Sequence, residues 1–404
     1  MQKNILLILT DQQSGTMMSC AGNPWLKTPA MDLLASKGVR FDKAFCSNPV
    51  CIPSRFSLFT GYYPCKIGMF SNFWRGKAIS DEILNNGLGH LLRKGGYETF
   101  FGGKEHFPGN ASAMQFGFDY ICEDERDELA DVCANFLLQQ KRKKPFFLVA
   151  SFINPHDICH MALKQFAESG LDLILKEKCV LENHSVDNAA KNPPGVSDDE
   201  FFKKYCPPLP NNHMPQSDEP ELIMAKLLND RKFKLMAREK WTDREWRRHR
   251  WAYARLTEQV DQQIYRVLDA LESSGLRENT VVIFTSDHGD NDASHKLEHK
   301  EFPYEECIRI PFIIADPETK FAGFCNTRNI VCNGLDLVPT LCDYAGIEAP
   351  DELKGLSLRQ CVVKGFSEKW RDYLLIESEF GPIIRTHDFA YAKFREGANN
   401  EQLY

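Results

Sequence analysis

Three polar clusters stand immediately after apolar runs. Ile5 to Leu9 leads to Asp11-Gln12, Val281 to Thr285 runs into Ser286-Asp287-His288-Gly289-Asp290, and Pro145 to Phe152 leads to Asn154-Pro155-His156-Asp157. Oxygen donors from Asp11, Gln12 and Asp287, with a nitrogen from His288, make a set suited to a hard divalent cation such as calcium, magnesium or manganese. The competing reading is that each cluster only caps a loop. A fourth segment, Cys51-Ile52-Pro53-Ser54-Arg55, offers different chemistry. Pro53 suits the first position of a helix, which puts Cys51 where free amides and the helix dipole stabilise an anion. Cys51 is therefore a candidate low-pKa thiol, although a buried, inert cysteine fits the same residues.

For such distant residues to meet, a common scaffold must gather them. Ile5 to Leu9, Val39 to Phe45, Tyr97 to Phe101, Pro145 to Phe152, Val281 to Thr285 and Pro311 to Ile314 read as strands alternating with helical patterns. Their near-continuous hydrophobicity predicts strands covered on both faces, hence an α/β fold with a large, mainly parallel central sheet sandwiched by helices. In such sheets ligands bind beyond the carboxyl ends of the strands, where the polar clusters stand. Thr28-Pro29 opens one helix and Gly38 closes it. Thr242-Asp243-Arg244-Glu245 is a capping box, and its apolar stripe continues through Tyr253, Leu256, Val260, Ile264, Val267 and Leu271 until Gly275.

Between 158 and 240 the periodicity fades among Asn192-Pro193-Pro194-Gly195, Cys206-Pro207-Pro208-Leu209-Pro210 and His213-Met214-Pro215, which predicts a long lid-like or disordered loop. Trp241, Arg244, Trp246, Arg247, Arg248, His249, Arg250 and Trp251 form a basic and aromatic patch, read as a contact for an anionic sugar or, more simply, as a helix start with docked aromatics. Tyr373 to Ile376 and Phe389 to Phe394 are strand-like. They divide the chain into a catalytic domain over 1–365, with the variable insertion at 158–240 near the substrate, and the start of a small C-terminal α+β subdomain over 366–404, expected to be incomplete.

Composition narrows the classes. The 404 residues carry 49 Lys and Arg against 56 Asp and Glu, a net charge of −7, which gives no attraction to nucleic acid or anionic lipid. Hydrophobic and charged fractions of 43% and 26% exclude disordered and fibrous chains. Fourteen scattered cysteines without a CxxC pair read as mostly reduced core thiols. No apolar run reaches the roughly 20 residues of a membrane span, so no membrane partner is expected. The N-terminal run is too short for a signal peptide, which favours the cytoplasm, or the periplasm if an export signal has been removed.

Cys51-Ile52-Pro53-Ser54-Arg55 resembles the signature of the type I sulfatases, a branch of the alkaline phosphatase superfamily, in which the cysteine of a CxPSR motif is oxidised to formylglycine. Gly96-Tyr97-Glu98-Thr99 with Gly103-Lys104-Glu105-His106 is similar to the second signature of that family. Asn154-Pro155-His156 resembles its PH motif. Ser286 to Asp290, followed by His295, Lys300, Tyr304-Glu305-Glu306 and Arg309-Ile310-Pro311, resembles its later metal segment. The motifs run in order from residue 11 to 311, about three quarters of the chain.

The resemblance implies that Asp11, Gln12, Asp287, His288 and modified Cys51 hold one divalent metal, calcium by family expectation. A hydroxyl of the hydrated aldehyde then displaces the alcohol from sulfur, and the second hydroxyl expels sulfate. It further implies that Arg55, Lys104 and Lys300 neutralise the sulfuryl oxygens, that His156, alone or sharing the task with Lys300, protonates the leaving oxygen, and that His106 orients the diol. His295 becomes a substrate-pocket candidate. The expected partners are a sulfated small molecule or glycan, bearing an O- or N-sulfate, and a formylglycine-generating enzyme.

Departures accompany the match. Asp11-Gln12 replaces a pair of aspartates and resembles choline sulfatases and phosphonate monoester hydrolases. Ile52 stands at a position usually small, and Gly102 and Glu105 differ from the commonest second signature. The alternatives left open are a phosphonate monoester or phosphodiester hydrolase and a non-catalytic glycan-binding relative.

Overall fold

The computed structural model describes all residues other than 1, 74, 75, 77, 110, 140, 141, 231 and 368. Its strands in chain order are β1 (Asn4–Asp11), β2 (Val39–Phe41), β3 (Ala44–Phe45), β4 (Glu98–Gly103), β5 (Asp119–Cys122), β6 (Phe146–Pro155), β7 (Thr280–Ser286), β8 (Phe312–Ala315), β9 (Phe324–Asn326), β10 (Val331–Cys332), β11 (Tyr373–Ile376), β12 (Ile383–Thr386), β13 (Ala390–Lys393) and β14 (Glu401–Leu403). The main sheet has the order β5-β4-β6-β1-β7-β8-β2-β9. β5, β4, β6, β1 and β7 are mutually parallel, whereas β8 runs antiparallel to both β7 and β2.

Every residue of β1 is buried, because both faces of the sheet are covered. Ile5, Leu7 and Leu9 enter one apolar core with Phe56 and Phe59 of the helix Cys51–Thr60 and Leu337, Val338 and Leu341 of the helix Asn333–Ala345. Leu6 and Ile8 enter the other, with Met31 and Leu34 of the helix Pro29–Lys37 and with Val260, Ile264 and Leu271 of the helix Asp243–Ser273. The alternation follows from the two-residue period of a strand. Each side chain so buried contributes roughly 1.5–3 kcal/mol. The capping box at Thr242 is formed as the spacing predicts: the Thr242 side chain accepts from the Glu245 amide, and the Glu245 carboxylate accepts from the Thr242 amide.

Two expectations are corrected. The single strand read over 39–45 is two short ones, β2 in the main sheet and β3 paired with β10. The stretch 158–240 is no extended loop: it folds into the helices His160–Phe166, Gly170–Lys178, Val180–Ala189, Glu221–Asp230 and Lys232–Lys240. These helices are short, and Gly170–Lys178 buries no residue fully, so their apolar stripes are weak in sequence. Their support is tertiary, a cluster in which Ala162, Leu163, Phe233 and Ala237 surround Trp241 and Trp246.

Beyond residue 366 the chain forms an antiparallel sheet, β11-β12-β13-β14. It is tied to the main body through the Glu377 amide, which donates to the Ser47 carbonyl, and through the Arg371–Asp336 ion pair. It also touches the inserted helices, the Glu221 amide donating to the Ala398 carbonyl. All fourteen cysteines are free, as composition suggests, and most are buried. No helix among the described residues is long and apolar enough to cross a membrane.

Candidate active site

Four adjacent parallel strands, β4, β6, β1 and β7, end at the same sheet edge and deliver the chemistry. Register pairs Gly103 and Leu9 with Ser151, Asp11 with Pro155, and Thr10 with Ser286. Lys104 follows β4 directly, Asp11 ends β1, His156 follows β6, and Asp287 and His288 follow β7. Gly103 makes the exit of β4 possible. Its φ is +90° and a Cβ there would lie 2.1 Å from the Ser151 carbonyl oxygen, so only glycine lets the backbone turn Lys104 inward.

Cys51 is the first residue of its helix and fully buried. Pro53 takes the third helical position rather than the first; its missing N–H costs nothing there, since the first four amides of a helix have no intrahelical partner. The Cys51 sulfur lies 3.2 Å from His288 Nε2, 2.9 Å from Lys300 Nζ and 3.8 Å from Asp11 Oδ1. Ligand atoms of Asp11, Cys51, Asp287 and His288 all fall within 4.8 Å of one another. Two carboxylates, an imidazole and a fourth group in one buried nest fit a hard divalent cation.

Arg55 locks this arrangement from below. Its Nη2 donates to Asp11 Oδ2 at 2.9 Å, its Nε to Asp287 Oδ2 at 2.9 Å, and its Nη1 to the Lys104 carbonyl at 2.9 Å and Ser151 Oγ at 3.0 Å. Lys104 Nζ adds a 2.9 Å pair with Asp11 Oδ2. Gln12 sits in the left-handed region at φ 66°. It is held there because its amide donates to Asp287 Oδ1 at 3.0 Å and its carbonyl accepts from the Tyr253 hydroxyl at 2.6 Å. Such a conformation costs roughly 1–3 kcal/mol and persists only where surrounding contacts fix it. The Gln12 side-chain oxygen accepts from Lys300 Nζ at 2.9 Å and from the Cys159 thiol at 3.2 Å, while its nitrogen donates to Asp290 Oδ2 at 2.6 Å.

Proton affinities follow from these neighbours. Burial alone would raise Asp11, but Lys104, His156, Arg55 and Lys300 outweigh it and hold the carboxyl well below its usual range. Burial, reinforced by Asp11, pushes Asp287 up to about 6. Burial and Asp11 would raise the Cys51 thiol, yet Lys300, His288 and Lys104 bring it well below the ordinary value. Burial, then Lys104 and Lys300, keeps His156 well below its normal range, so its imidazole is neutral at pH 7.

A cavity of about 610 Å³ opens over this centre, and Lys104, His106, His156 and Lys300 line it. His106 is exposed at its rim and makes no hydrogen bond to Cys51; His288, Lys300 and Asp11 are the groups that meet the sulfur. His295 does not line this cavity: it is buried and stacks on the Tyr304 ring at 4.0 Å, a packing residue.

The basic and aromatic patch resolves as the simpler reading, docked aromatics. Trp241, Trp246 and Trp251 are buried, though against inserted helices and each other instead of the sheet. Arg247 donates to the Pro207, Phe202 and Cys206 carbonyls, and Arg248 to the Ala190 carbonyl and Asn192, pinning the proline-rich turns.

Ser151, Cys159, Tyr253 and Asp290 were not singled out as site residues by sequence reasoning. Tyr253 reads there as one more apolar position on its helix, and only the fold reveals its hydroxyl on Gln12. Asp290 alone carried a signal, lying two residues beyond His288.

The mainly parallel sheet, with a buried cluster of metal-capable side chains and two lysines at its carboxyl edge, has the architecture of the alkaline phosphatase-like class. Comparison with known proteins refines this. A family model described as Sulfatase matches residues 3–347. A Delta 4,5-hexuronate-2-O-sulfatase of Bacteroides thetaiotaomicron is 29% identical over 425 residues, covering 99% of this chain and 82% of that protein. The solved structure of a 2-O GAG sulfatase superposes with a TM-score of 0.82 at 26% identity, over 100% of this chain and 85% of the other. A phosphonate monoester hydrolase of Agrobacterium radiobacter, at TM-score 0.70 and 20% identity over 100% and 89%, shares the fold alone. The chain belongs to the sulfatase family and is a sulfuric ester hydrolase.

Proposed function

We propose that the protein hydrolyses a sulfate ester of a carbohydrate or small alcohol after Cys51 has been oxidised to formylglycine by a maturation enzyme. One divalent cation, calcium by family expectation, would be held by Asp11, Gln12, residue 51, Asp287 and His288. The observation that carries this reading is the position of Cys51: buried at a helix N-terminus, among three metal-capable side chains, with Lys300 at 2.9 Å. When present, the aldehyde hydrate supplies an oxygen nucleophile and the cation lowers its pKa.

The chain's own residues do the remaining work. Lys104 and Lys300 line the cavity floor and offset charge on the sulfuryl oxygens, while Arg55 fixes Asp11 and Asp287 as ligands rather than meeting substrate. His156 borders the same cavity with Nδ1 unpartnered. It is neutral in the free enzyme; the negative charge of a bound sulfate ester, a monoanion, favours the protonated ring that gives its proton to the leaving oxygen. Gln12 would offer a cation its side-chain oxygen, because its nitrogen is committed to Asp290.

The test is peptide mass spectrometry across residues 51 to 55 of protein made in its native host, paired with turnover of an aryl sulfate and an aryl phosphonate. An aldehyde at residue 51 and faster sulfate turnover are expected. A persistent thiol, or a preference for phosphonate, overturns the reading.

A further inference from the structure

Gln12 stands between two sets of partners of opposite polarity. On one side its side-chain oxygen accepts from Lys300 Nζ at 2.9 Å and from the Cys159 thiol at 3.2 Å, and the same ammonium lies 2.9 Å from the Cys51 sulfur. The oxygen is therefore on the side of the nest. On the other side the Gln12 nitrogen donates to Asp290 Oδ2 at 2.6 Å, while Asp290 Oδ1 accepts from the Asp292 amide at 2.7 Å. Gln12 and Asp290 are both fully buried, so bulk water cannot replace a contact that is lost.

A primary amide donates at one end and accepts at the other, and exchanging the two ends hardly changes its shape. Its direction is set by its neighbours. Lys300 offers only donors, and Asp290 accepts at both oxygens. An amide turned the other way would set its N–H groups against the ammonium and its oxygen against the carboxylate, two mismatches in a dry site where each is costly.

Asp290 is itself immobilised. Its amide donates to Ser14 Oγ at 3.0 Å, and the Ser14 amide donates to the Tyr253 hydroxyl at 2.9 Å, the hydroxyl that donates to the Gln12 carbonyl at 2.6 Å. Before it, Gly289 packs so closely that a Cβ would lie 2.0 Å from the Glu306 carbonyl oxygen, so only a residue without a side chain brings the backbone here.

We infer that Asp290 is a positioning residue for the reaction: it holds the Gln12 amide with its oxygen toward the cation nest, and the amide and the carboxylate behind it form one matched pair. This rests on the cation-dependent sulfatase reading and deepens it. Asp290 does not line the cavity, so it acts through Gln12 and not on the substrate.

The experiment is an isosteric exchange. Asp290→Asn keeps the shape but sets an N–H donor against either the Gln12 nitrogen or the Asp292 amide. Adding Gln12→Glu in the same chain reverses the polarity of the pair and gives every group a partner again: the introduced carboxylate accepts from Lys300, Cys159 and the introduced amide, whose oxygen accepts from Asp292. Calcium, magnesium and manganese affinities are measured by calorimetry on matured parent, both single variants and the double variant, with urea midpoints on the same samples. Asp290→Asn is expected to bind the parent's best cation about 10–100-fold more weakly, the usual effect of losing the partner behind a ligand. Gln12→Glu is expected to raise affinity by about tenfold or more further in the Asp290→Asn background than in the parent, because only there does the new carboxylate face an amide donor; the cycle isolates this pairwise effect from the added charge. Should Asp290→Asn fail to fold alone, a double variant with the parent's urea midpoint and affinity supports the pair, and a double variant that also fails to fold overturns it. Unchanged affinity in Asp290→Asn, or an equal effect of Gln12→Glu in both backgrounds, overturns the inference and leaves the sulfatase reading standing. A parent protein that binds none of the three cations, with the aldehyde at residue 51 verified, overturns both.

Discussion

Lys300 Nζ stands 2.9 Å from the Cys51 sulfur and 2.9 Å from the Gln12 side-chain oxygen, so one buried ammonium ties the helix start to the turn after β1. Lys300, 249 positions beyond Cys51, thereby holds both in one geometry. Replacing Lys300 by methionine removes the charge that opposes burial at Cys51. In unmatured protein the thiol is expected to titrate at higher pH, read by its thiolate absorbance or its rate of alkylation. In matured protein kcat is expected to fall by about 10²–10³, the usual loss for one donor aimed at developing charge. An unshifted thiol titration would show that the contact is incidental.

Arg55 makes five hydrogen bonds while fully buried. Arg55→Ala leaves Asp11 and Asp287 without their shared partner, and a loss of roughly 3–5 kcal/mol is expected, the cost of breaking a buried ion pair from one side. Arg55→Lys keeps the charge but cannot reproduce the planar fork, so it is expected to rescue part of the stability and little of the activity. Urea midpoints with kinetics on the same samples check both.

A cation that binds only the folded nest stabilises it by mass action. At a free concentration of 100 times Kd the gain is about 2.7 kcal/mol. Thermal melts of chelator-treated protein should therefore rise on adding calcium, and much less in Asp287→Asn, which loses one of the anionic donors of the nest. An unchanged melting temperature in the parent protein would count against a cation site here. Running magnesium and manganese in parallel ranks the metals without reference to turnover.

Asp261 offers a pH signature remote from the catalytic nest. It is buried and accepts from the Ala30 and Met31 amides at the start of the helix Pro29–Lys37. Burial pushes its carboxyl up to about 6 from the ordinary 3.8. A carboxyl raised on folding contributes stability that is complete below the unfolded value and is lost as pH climbs through the folded one. The contribution, up to about 3 kcal/mol, should thus disappear between pH 4 and 6. Asp261→Asn is expected to flatten the stability profile across that window, measured by urea unfolding at fixed ionic strength. A parallel profile in parent and variant would remove Asp261 as the cause.

His295 and His156 separate packing from chemistry. His295→Phe preserves a ring against Tyr304 and is expected to leave kcat/KM within about twofold, with a stability change under about 1.5 kcal/mol. His156→Ala removes the ring at the cavity and is expected to lower kcat by about 10²–10⁴ on substrates with poor leaving groups, and far less on an activated aryl sulfate. Equal losses on both substrates would assign His156 to binding.

Strand identity was legible because β1, β6 and β7 are short apolar runs with a polar residue at the end, and a strand buried on two faces admits little else. The Cys51 motif and the Asp287-His288 pair were likewise readable, since their chemistry is local to a few consecutive residues. Register was not written there. Only the assembled sheet puts Thr10 beside Ser286 and Leu9 beside Ser151, bringing Asp11, Asp287 and Lys104 within reach of Arg55. The inserted helices were also invisible, because their stability comes from Trp241, Trp246 and Phe233 packing across elements and not from a strong stripe within any one of them. The role of Tyr253 on Gln12 belongs to the same class. A side chain's type fixes what it can do; the direction it faces, and the charges it then meets, are set by contacts between segments far apart in the chain.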